Sequence, residues 1–164
     1  MAQMEGFELN SLSFNLFEVV KNSLDLLQAS IKEKELVVFN QLKSETIAFG
    51  DPDLVEVVVR NLINNAIKFS NPGDAITIYA EKNKDFMELY ILDQGVGMSQ
   101  EQIDDILSDQ YMLTKSKPGT QKEKGSGLGL KLVKEFVKMN GGEIEIDSHP
   151  GHGTKFCVKL PLLA

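Results

Sequence analysis

A stripe of polar side chains interrupts an apolar stretch in the middle of the chain. Asn61, Asn65 and Lys68 follow one another at intervals of four and three residues, so a helix would place them on one face. An asparagine carbonyl is a hard oxygen ligand that suits Mg²⁺, which takes one or two protein oxygens together with phosphates and water. The stripe therefore predicts a magnesium and phosphate site with Lys68 near a phosphate, and the alternative is a solvent-facing stripe beside Asn64.

A carboxylate followed by two glycines ends an alternating, strand-like run. The residues are Asp93, Gly95 and Gly97. An ionised carboxylate only accepts hydrogen bonds, which suits an exocyclic amine such as that of adenine, and glycines allow backbone and ligand to approach closely. The alternative is an ordinary turn after a capping aspartate.

A glycine-rich run precedes the last predicted helix and consists of Gly125, Ser126, Gly127, Leu128, Gly129 and Leu130. Glycines near a helix N-terminus leave backbone N–H groups free to bind phosphate. Residues 110–134 hold six lysines against one glutamate, a net charge of +5, whereas residues 88–109 hold six acids and no base. The run and its lysines predict an anion site, and solvated charged faces are the alternative.

Spacing excludes two common nucleotide fingerprints. A dinucleotide G-x-G-x-x-G motif would need glycine where Leu130 or Gln100 stands, and no G-K-S/T sequence occurs. What remains is the ordered set of an asparagine stripe, an aspartate with two glycines, and a glycine run before a helix.

The apolar periodicity predicts the elements that must position these groups. Helices are expected over residues 14–34, from Pro52 with Asp51 as N-cap to about 70, over 99–107, and from the glycine run to about 139. Strands are expected over residues 36–39, 47–49, 75–81, 87–92, 143–147 and 154–160. The order predicts an α+β domain with helices layered on one face of a mixed sheet. A loop as long as residues 108–124 is typical of a functional lid or of disorder.

Composition excludes several classes of protein. With 164 residues, 42% hydrophobic and 25% charged, the chain is expected to form one soluble domain. The net charge of −7 and the single arginine, Arg60, argue against nucleic acid and anionic membranes as partners. Cys157 is alone and lies in a strand-like run, which predicts a structural thiol. Neither a signal peptide nor an apolar run of membrane-spanning length is found, so a cytoplasmic location is expected.

The motifs in their order resemble those of the catalytic ATP-binding domain of sensor histidine kinases. Residues 51–70 resemble its N box, 93–97 its G1 box, 125–130 its G2 box, and 151–154 its final glycine-threonine motif. The resemblance covers roughly residues 14–160. It implies the Bergerat (GHKL) two-layer α/β sandwich and Mg-ATP as the ligand.

The resemblance also implies roles for particular residues. Asn65 would coordinate Mg²⁺ between the ATP phosphates, with Asn61 and Lys68 along the phosphates, and Asn65 and Lys68 would serve catalysis. Asp93 would accept from the adenine amino group, and Thr154 would approach the adenine end. Residues 108–124 would form the ATP lid. The nucleotide-binding set would also include Gly95, Gly97, Lys115, Lys124, Gly125, Ser126, Gly127, Leu128, Gly129 and Leu130.

Two departures from the family pattern bear on function. The phenylalanine-rich F box is replaced by Ile103, Ile106, Leu107 and Tyr111, and the only histidines, His149 and His152, fall in a predicted hairpin loop. The chain is therefore expected not to phosphorylate itself. Residues 1–13 are interpreted as a remnant of a preceding dimerisation helix or linker, and residues 14–164 as the catalytic domain. The expected partners are the histidine-bearing dimerisation domain of a parent kinase, which can be attached to the inner membrane, and a response regulator.

The residue at position 61 separates phosphoryl transfer from hydrolysis. ATP-hydrolysing relatives of the same fold, such as gyrase B and MutL, carry a glutamate there as general base, and the Asn61 amide cannot take a proton from water. Transfer to a protein histidine is therefore favoured. The alternatives are a protein serine kinase of the anti-sigma type and a non-catalytic, nucleotide-gated binding module.

Overall fold

The computed structural model describes residues 8–108 and 128–162, with Leu128 described by its backbone alone. Its elements follow in chain order: β1 (Leu12–Asn15), α1 (Leu16–Leu26), α2 (Gln28–Glu33), β2 (Val37–Asn40), β3 (Ile47–Gly50), α3 (Pro52–Phe69), β4 (Ala75–Lys82), β5 (Phe86–Asp93), α4 (Gln100–Leu107), α5 (Leu128–Met139), β6 (Glu143–Ser148) and β7 (Thr154–Pro161). None of the helices in this described part is long and apolar enough to span a membrane.

The strands form a mixed main sheet and a small second sheet. The main sheet has the order β2-β4-β5-β7-β6, in which β2 and β4 are parallel and the other neighbours are antiparallel. Strands β1 and β3 pair with each other. In β5, Met87, Leu89 and Ile91 are buried on the face that packs against α3, while Glu88 and Tyr90 on the other face are partly exposed. The predicted α+β layering is confirmed.

Helix α3 begins as its sequence predicts. The Asp51 side chain accepts hydrogen bonds from the backbone N–H groups of Asp53 and Leu54, and Pro52 stands in the first turn. These contacts satisfy N–H groups that have no partner within the helix. Its buried stripe packs into the core and consists of Leu54, Val55, Val58, Val59, Leu62, Ile63, Ala66 and Ile67.

The predicted long helix over residues 14–34 is wrong at its start and in its middle. Phe14 lies in β1 opposite Ala48 of β3. Helix α1 begins only after Asn15, whose side chain accepts from the Glu18 N–H and so caps it. The helix is then interrupted at Leu27, which lies between α1 and α2. The apolar period of three to four residues runs from Leu16 across Leu27 to Ile31, so it concealed the break between the two helices. It does not include Phe14, and the short strand carries no local signal of its own.

All six predicted strands are present: β2 is shifted by one residue, and the other five are one or two residues longer than expected. Cys157 lies in β7 opposite Tyr90 and Glu145, on the face away from the helices, and is nevertheless buried. Burial raises the pKa of its thiol to about 11, so it stays protonated at neutral pH. A structural role for this thiol agrees with that state.

Candidate functional site

The polar stripe of α3 is not a solvent face. Asn61, Asn65 and Lys68 are all partly buried, whereas Asn64 beside them is exposed. The Asn61 amide nitrogen donates to the Val57 carbonyl at 2.7 Å. The three side chains therefore lie at an edge of the core, where a partly solvated ligand can contact them.

The first turn of α5 lies directly against this stripe. A Cβ added to Gly129 would stand 2.9 Å from the Asn61 Oδ1, closer than real Cβ contacts allow without a shift. A larger residue at position 129 would therefore displace the Asn61 side chain. The described end of the glycine run, at Gly129, and the α3 stripe are thereby brought together.

The C-terminal end of α3 is held by its own C-cap residue, Ser70, and by two segments distant in sequence. The buried Lys34 ammonium donates to the carbonyls of Ile67 and Lys68 at 2.8 and 2.9 Å. Ser70 donates to the Ala66 carbonyl, and the Val96 N–H donates to the Phe69 carbonyl. A cation at a helix C-terminus is favoured by the helix dipole. Lys34 was not predicted from the sequence, because it stands among other charged residues and belongs to no motif.

The Asp93 carboxylate lies at the end of β5, opposite Thr154 of β7 and on the side of the sheet that the helices cover. The backbone N–H of Gly95 donates to Asp93 Oδ1 at 2.9 Å. Burial raises the pKa of this carboxyl to about 6, the N–H groups of Gly95 and Thr154 lower it, and the negative charge of Asp74 raises it. Asp93 is thus a partly desolvated acceptor, and none of the groups that shift its pKa is a cation.

Gly95 and Gly97 are needed for contacts within the protein. A Cβ at Gly95 would stand 2.1 Å from the Phe69 carbonyl oxygen, and one at Gly97, whose φ is +71°, would stand 2.0 Å from that of His149. The structure gives these glycines a second reason besides the predicted approach of a ligand, which is the close approach of three backbone segments. The segment after Asp93 is wedged between α3 and the β6–β7 loop.

The β6–β7 loop is joined to the segment after Asp93 by backbone hydrogen bonds. Gly153 N–H donates to the Gly95 carbonyl at 3.0 Å, and Gly151 N–H donates to the Val96 carbonyl at 2.7 Å. The buried Ser148 hydroxyl connects the same two segments. Ser148 was also missed, although it continues the alternation of Ile144 and Ile146 on the helix side of β6, which is a signal for an inward-facing polar group.

Part of the predicted site lies outside the described residues: Lys115, Lys124, Gly125, Ser126 and Gly127, and the predicted lid beyond Ser108. The two histidines lie in the β6–β7 loop, as the sequence predicts, and both are exposed. The described part of the site therefore consists of the α3 stripe, the first turn of α5, and the pair formed by Asp93 and Thr154.

A mixed sheet covered by helices on one face, with these motifs joined at α3, defines a GHKL-type nucleotide-binding domain. The model of the family of histidine kinase-, DNA gyrase B- and HSP90-like ATPases matches residues 50–164, and the chain belongs to this family. Among curated proteins, sensor protein SrrB of Staphylococcus aureus is 34% identical over 125 residues, which are 76% of this chain and 21% of SrrB. The chain thus spans about a fifth of the length of that relative.

Solved structures agree with this assignment. Histidine kinase AdeS of Acinetobacter baumannii superposes with a TM-score of 0.75 at 28% identity, over 95% of this chain and 69% of that one. The mycobacterial sensor histidine kinase MprB gives 0.77 at 25% identity, over 93% and 97%. The catalytic domain of histidine kinase ThkA gives 0.80 at 21% identity, over 94% and 99%, and supports the fold alone.

Proposed function

We propose that the chain binds Mg-ATP and transfers its γ-phosphoryl group to a histidine on a separate dimerisation domain. The observation that carries the proposal is the convergence of three motifs on α3. Asn61 meets Gly129 of α5, and Phe69 meets Gly95 and Val96, which follow Asp93. A single helix thereby connects a candidate phosphate end with a candidate base end.

The base end fits an adenine. Asp93 is an acceptor in a partly buried place, and its Oδ1 already receives the Gly95 N–H. Its remaining acceptor capacity matches a donor such as the exocyclic amine of adenine. Thr154, opposite Asp93 in the register, is the second polar group at this end.

The phosphate end fits a magnesium-bound triphosphate. Asn65 supplies the neutral oxygen that Mg²⁺ takes together with phosphate oxygens and water. Asn61 and Lys68 lie on the same stripe of α3 and would contact the phosphates. The metal would neutralise charge that develops during transfer, while the protein supplies position and electrostatic stabilisation. The lysines and glycines of residues 115–127 would add charge and backbone donors at this end.

Position 61 supports transfer over hydrolysis. The Asn61 amide nitrogen donates to the Val57 carbonyl, and an amide has no basic atom that could take a proton from water. A neutral imidazole needs no such base because it is already nucleophilic. The exposed His149 and His152 lie in a loop, so the acceptor histidine is proposed to belong to the dimerisation domain of a parent kinase. Residues 14–164 would be the catalytic unit, and a response regulator would act downstream.

Binding of Mg-ATP is tested by isothermal titration calorimetry on matched asparagine variants. Asn65→Ala removes the proposed metal ligand, and Asn64→Ala, on the exposed position next to it, is the control. We expect Asn65→Ala to weaken binding of a non-hydrolysable ATP analogue in the presence of Mg²⁺. Without the metal, its affinity for the analogue should be close to that of the wild type. Asn64→Ala should bind as the wild type does. Equal magnesium-dependent affinities for the wild type and Asn65→Ala would contradict the assignment.

A further inference from the structure

The hydroxyl of Ser148 has three hydrogen-bond partners that together determine where its proton lies. It accepts from the Met98 N–H at 2.8 Å, lies 2.7 Å from the Gly153 carbonyl oxygen, and lies 2.8 Å from the Thr154 hydroxyl. A serine hydroxyl has one hydrogen to donate and two lone pairs to accept with. Both hydroxyls are buried, so the arrangement that satisfies every partner is strongly favoured.

Only one direction of the Ser148–Thr154 bond satisfies all of these groups. The Gly153 carbonyl can only accept, so it takes the single hydrogen of Ser148. The Met98 N–H can only donate, so it takes one lone pair. Thr154 must then donate its own hydrogen to the second lone pair of Ser148. Its hydroxyl can offer any further partner only acceptor lone pairs.

The strand register places this constrained hydroxyl beside Asp93. Asp93, Thr154 and Ser148 stand in one row across β5, β7 and β6 on the helix side of the sheet. The ionised carboxylate is also a pure acceptor. The row therefore presents two acceptors and no side-chain donor to a ligand that binds at this end of the site.

We propose that Ser148 is a positioning residue that sets base specificity, because it holds the Thr154 hydroxyl as an acceptor and so selects 6-aminopurine over 6-oxopurine nucleotides. An amine at position 6 donates to such acceptors, whereas an oxo group at the same place faces them with lone pairs. The inference rests on the proposed function, in which the base of ATP binds beside Asp93 and Thr154. It adds a residue that need not touch the nucleotide.

The test compares ATP with inosine triphosphate, which carries an oxo group in place of the 6-amino group. Dissociation constants of the two Mg-nucleotides are measured calorimetrically for wild type, Ser148→Ala, Thr154→Val and the double variant. We expect the wild type to prefer ATP. In Ser148→Ala the freed Thr154 hydroxyl can rotate and donate to the oxo group, so the preference for ATP should fall by about three- to tenfold.

The double variant separates a directed role from a merely structural one. In the Thr154→Val background no hydroxyl remains to be oriented, so adding Ser148→Ala should leave the ratio of the two affinities unchanged. Met87→Ala serves as a destabilising control, since Met87 is buried six residues along β5 from Asp93, roughly 20 Å away. That variant should lower the unfolding midpoint and leave the ratio as in the wild type.

Three results would overturn the inference. Ser148→Ala could weaken both nucleotides equally, its effect on the ratio could persist in the Thr154→Val background, or Met87→Ala could change the ratio as much. If Ser148→Ala lacks a cooperative unfolding transition, Ser148→Cys replaces it, and the sulfur, a weaker acceptor, should shift the ratio in the same direction. A wild-type chain that binds neither nucleotide would instead contradict the proposed function.

Discussion

Replacing Asp93 by asparagine should stabilise the nucleotide-free protein while it weakens nucleotide binding. Burial raises the pKa of Asp93 from its ordinary value of 3.8 to about 6, so the ionised form is disfavoured in the folded state. A raised carboxyl pKa means that the folded state binds the proton more tightly. The stability contribution of this group is therefore greatest below pH 4, and it is lost as the pH rises to about 6.

The size of the effect follows from the shift. Two pKa units correspond to about 3 kcal/mol of unfavourable free energy at neutral pH. The amide side chain that Asp93→Asn introduces carries no charge, so up to about 3 kcal/mol of stability should be regained at pH 7.5. The pKa shift already includes the hydrogen bonds that the carboxylate accepts from the N–H groups of Gly95 and Thr154. In the variant, the amide oxygen would keep the hydrogen bond from the Gly95 N–H, so the amide NH₂ group would face the adenine amine. Two donors would then face each other, at a cost of about 1–3 kcal/mol, or roughly 5- to 150-fold in Kd.

Two assays measure the opposite effects. Urea unfolding of the nucleotide-free protein at pH 4 to 8 should show a fall in wild-type stability between about pH 4 and 6, and that fall should be reduced in Asp93→Asn. Calorimetry should show wild-type ATP affinity decreasing below about pH 6, where Asp93 takes up a proton, and a flatter profile for the variant. Asp105→Asn, an exposed aspartate in α4, is the control for lost charge and should match the wild type in both assays.

The reasoning would be refuted by an Asp93→Asn protein that binds ATP as tightly as the wild type. It would equally be refuted by a variant that is less stable than the wild type at pH 7.5 without nucleotide, because the desolvation of Asp93 would then not be a cost of folding.

Three further substitutions test contacts of α3 and of the core. Gly129→Ala should weaken nucleotide binding severalfold with little change in the unfolding midpoint, because its Cβ would displace the Asn61 side chain. Lys34→Met should lower the free energy of unfolding by about 2–3 kcal/mol in urea denaturation, since two carbonyls at the end of α3 lose a charged donor, while the exposed Lys32→Met should not. Ser23→Ala should raise the thermal midpoint, because this buried hydroxyl has no hydrogen-bond partner in the described part of the chain; an unchanged or lower midpoint would contradict this.

The elements with strong local signals could be predicted from the sequence. Helix α3 follows from its apolar period and from Asp51 and Pro52 at its start, and these signals are local. Strand β1 could not be predicted in the same way. It has four residues, and its pairing partner β3 lies about 35 residues further along the chain. Its Phe14 stands just before the apolar period that begins at Leu16, and no local signal marks a pairing that only the tertiary structure supplies.

The candidate site shows the same division. The candidate residues were selected by motif spacing, but the contacts of Gly95 and Gly97 with Phe69 and His149 are not revealed by sequence spacing. Lys34 and Ser148 were missed because each acts on segments distant in sequence. Buried polar groups are selected by the partners that satisfy them, and those partners become visible only when the segments are brought together.

Transfer of label from γ-labelled ATP tests the central claim most directly. The purified chain is mixed with Mg²⁺ and the histidine-bearing dimerisation domain proposed as its partner, and the products are separated and treated with acid or base. The proposed function predicts an acid-labile, base-stable label on the dimerisation domain, which is lost with Asn65→Ala, retained with Asn64→Ala, and absent when this chain is incubated alone. An acid-stable label, or release of inorganic phosphate with no labelled protein, would contradict it.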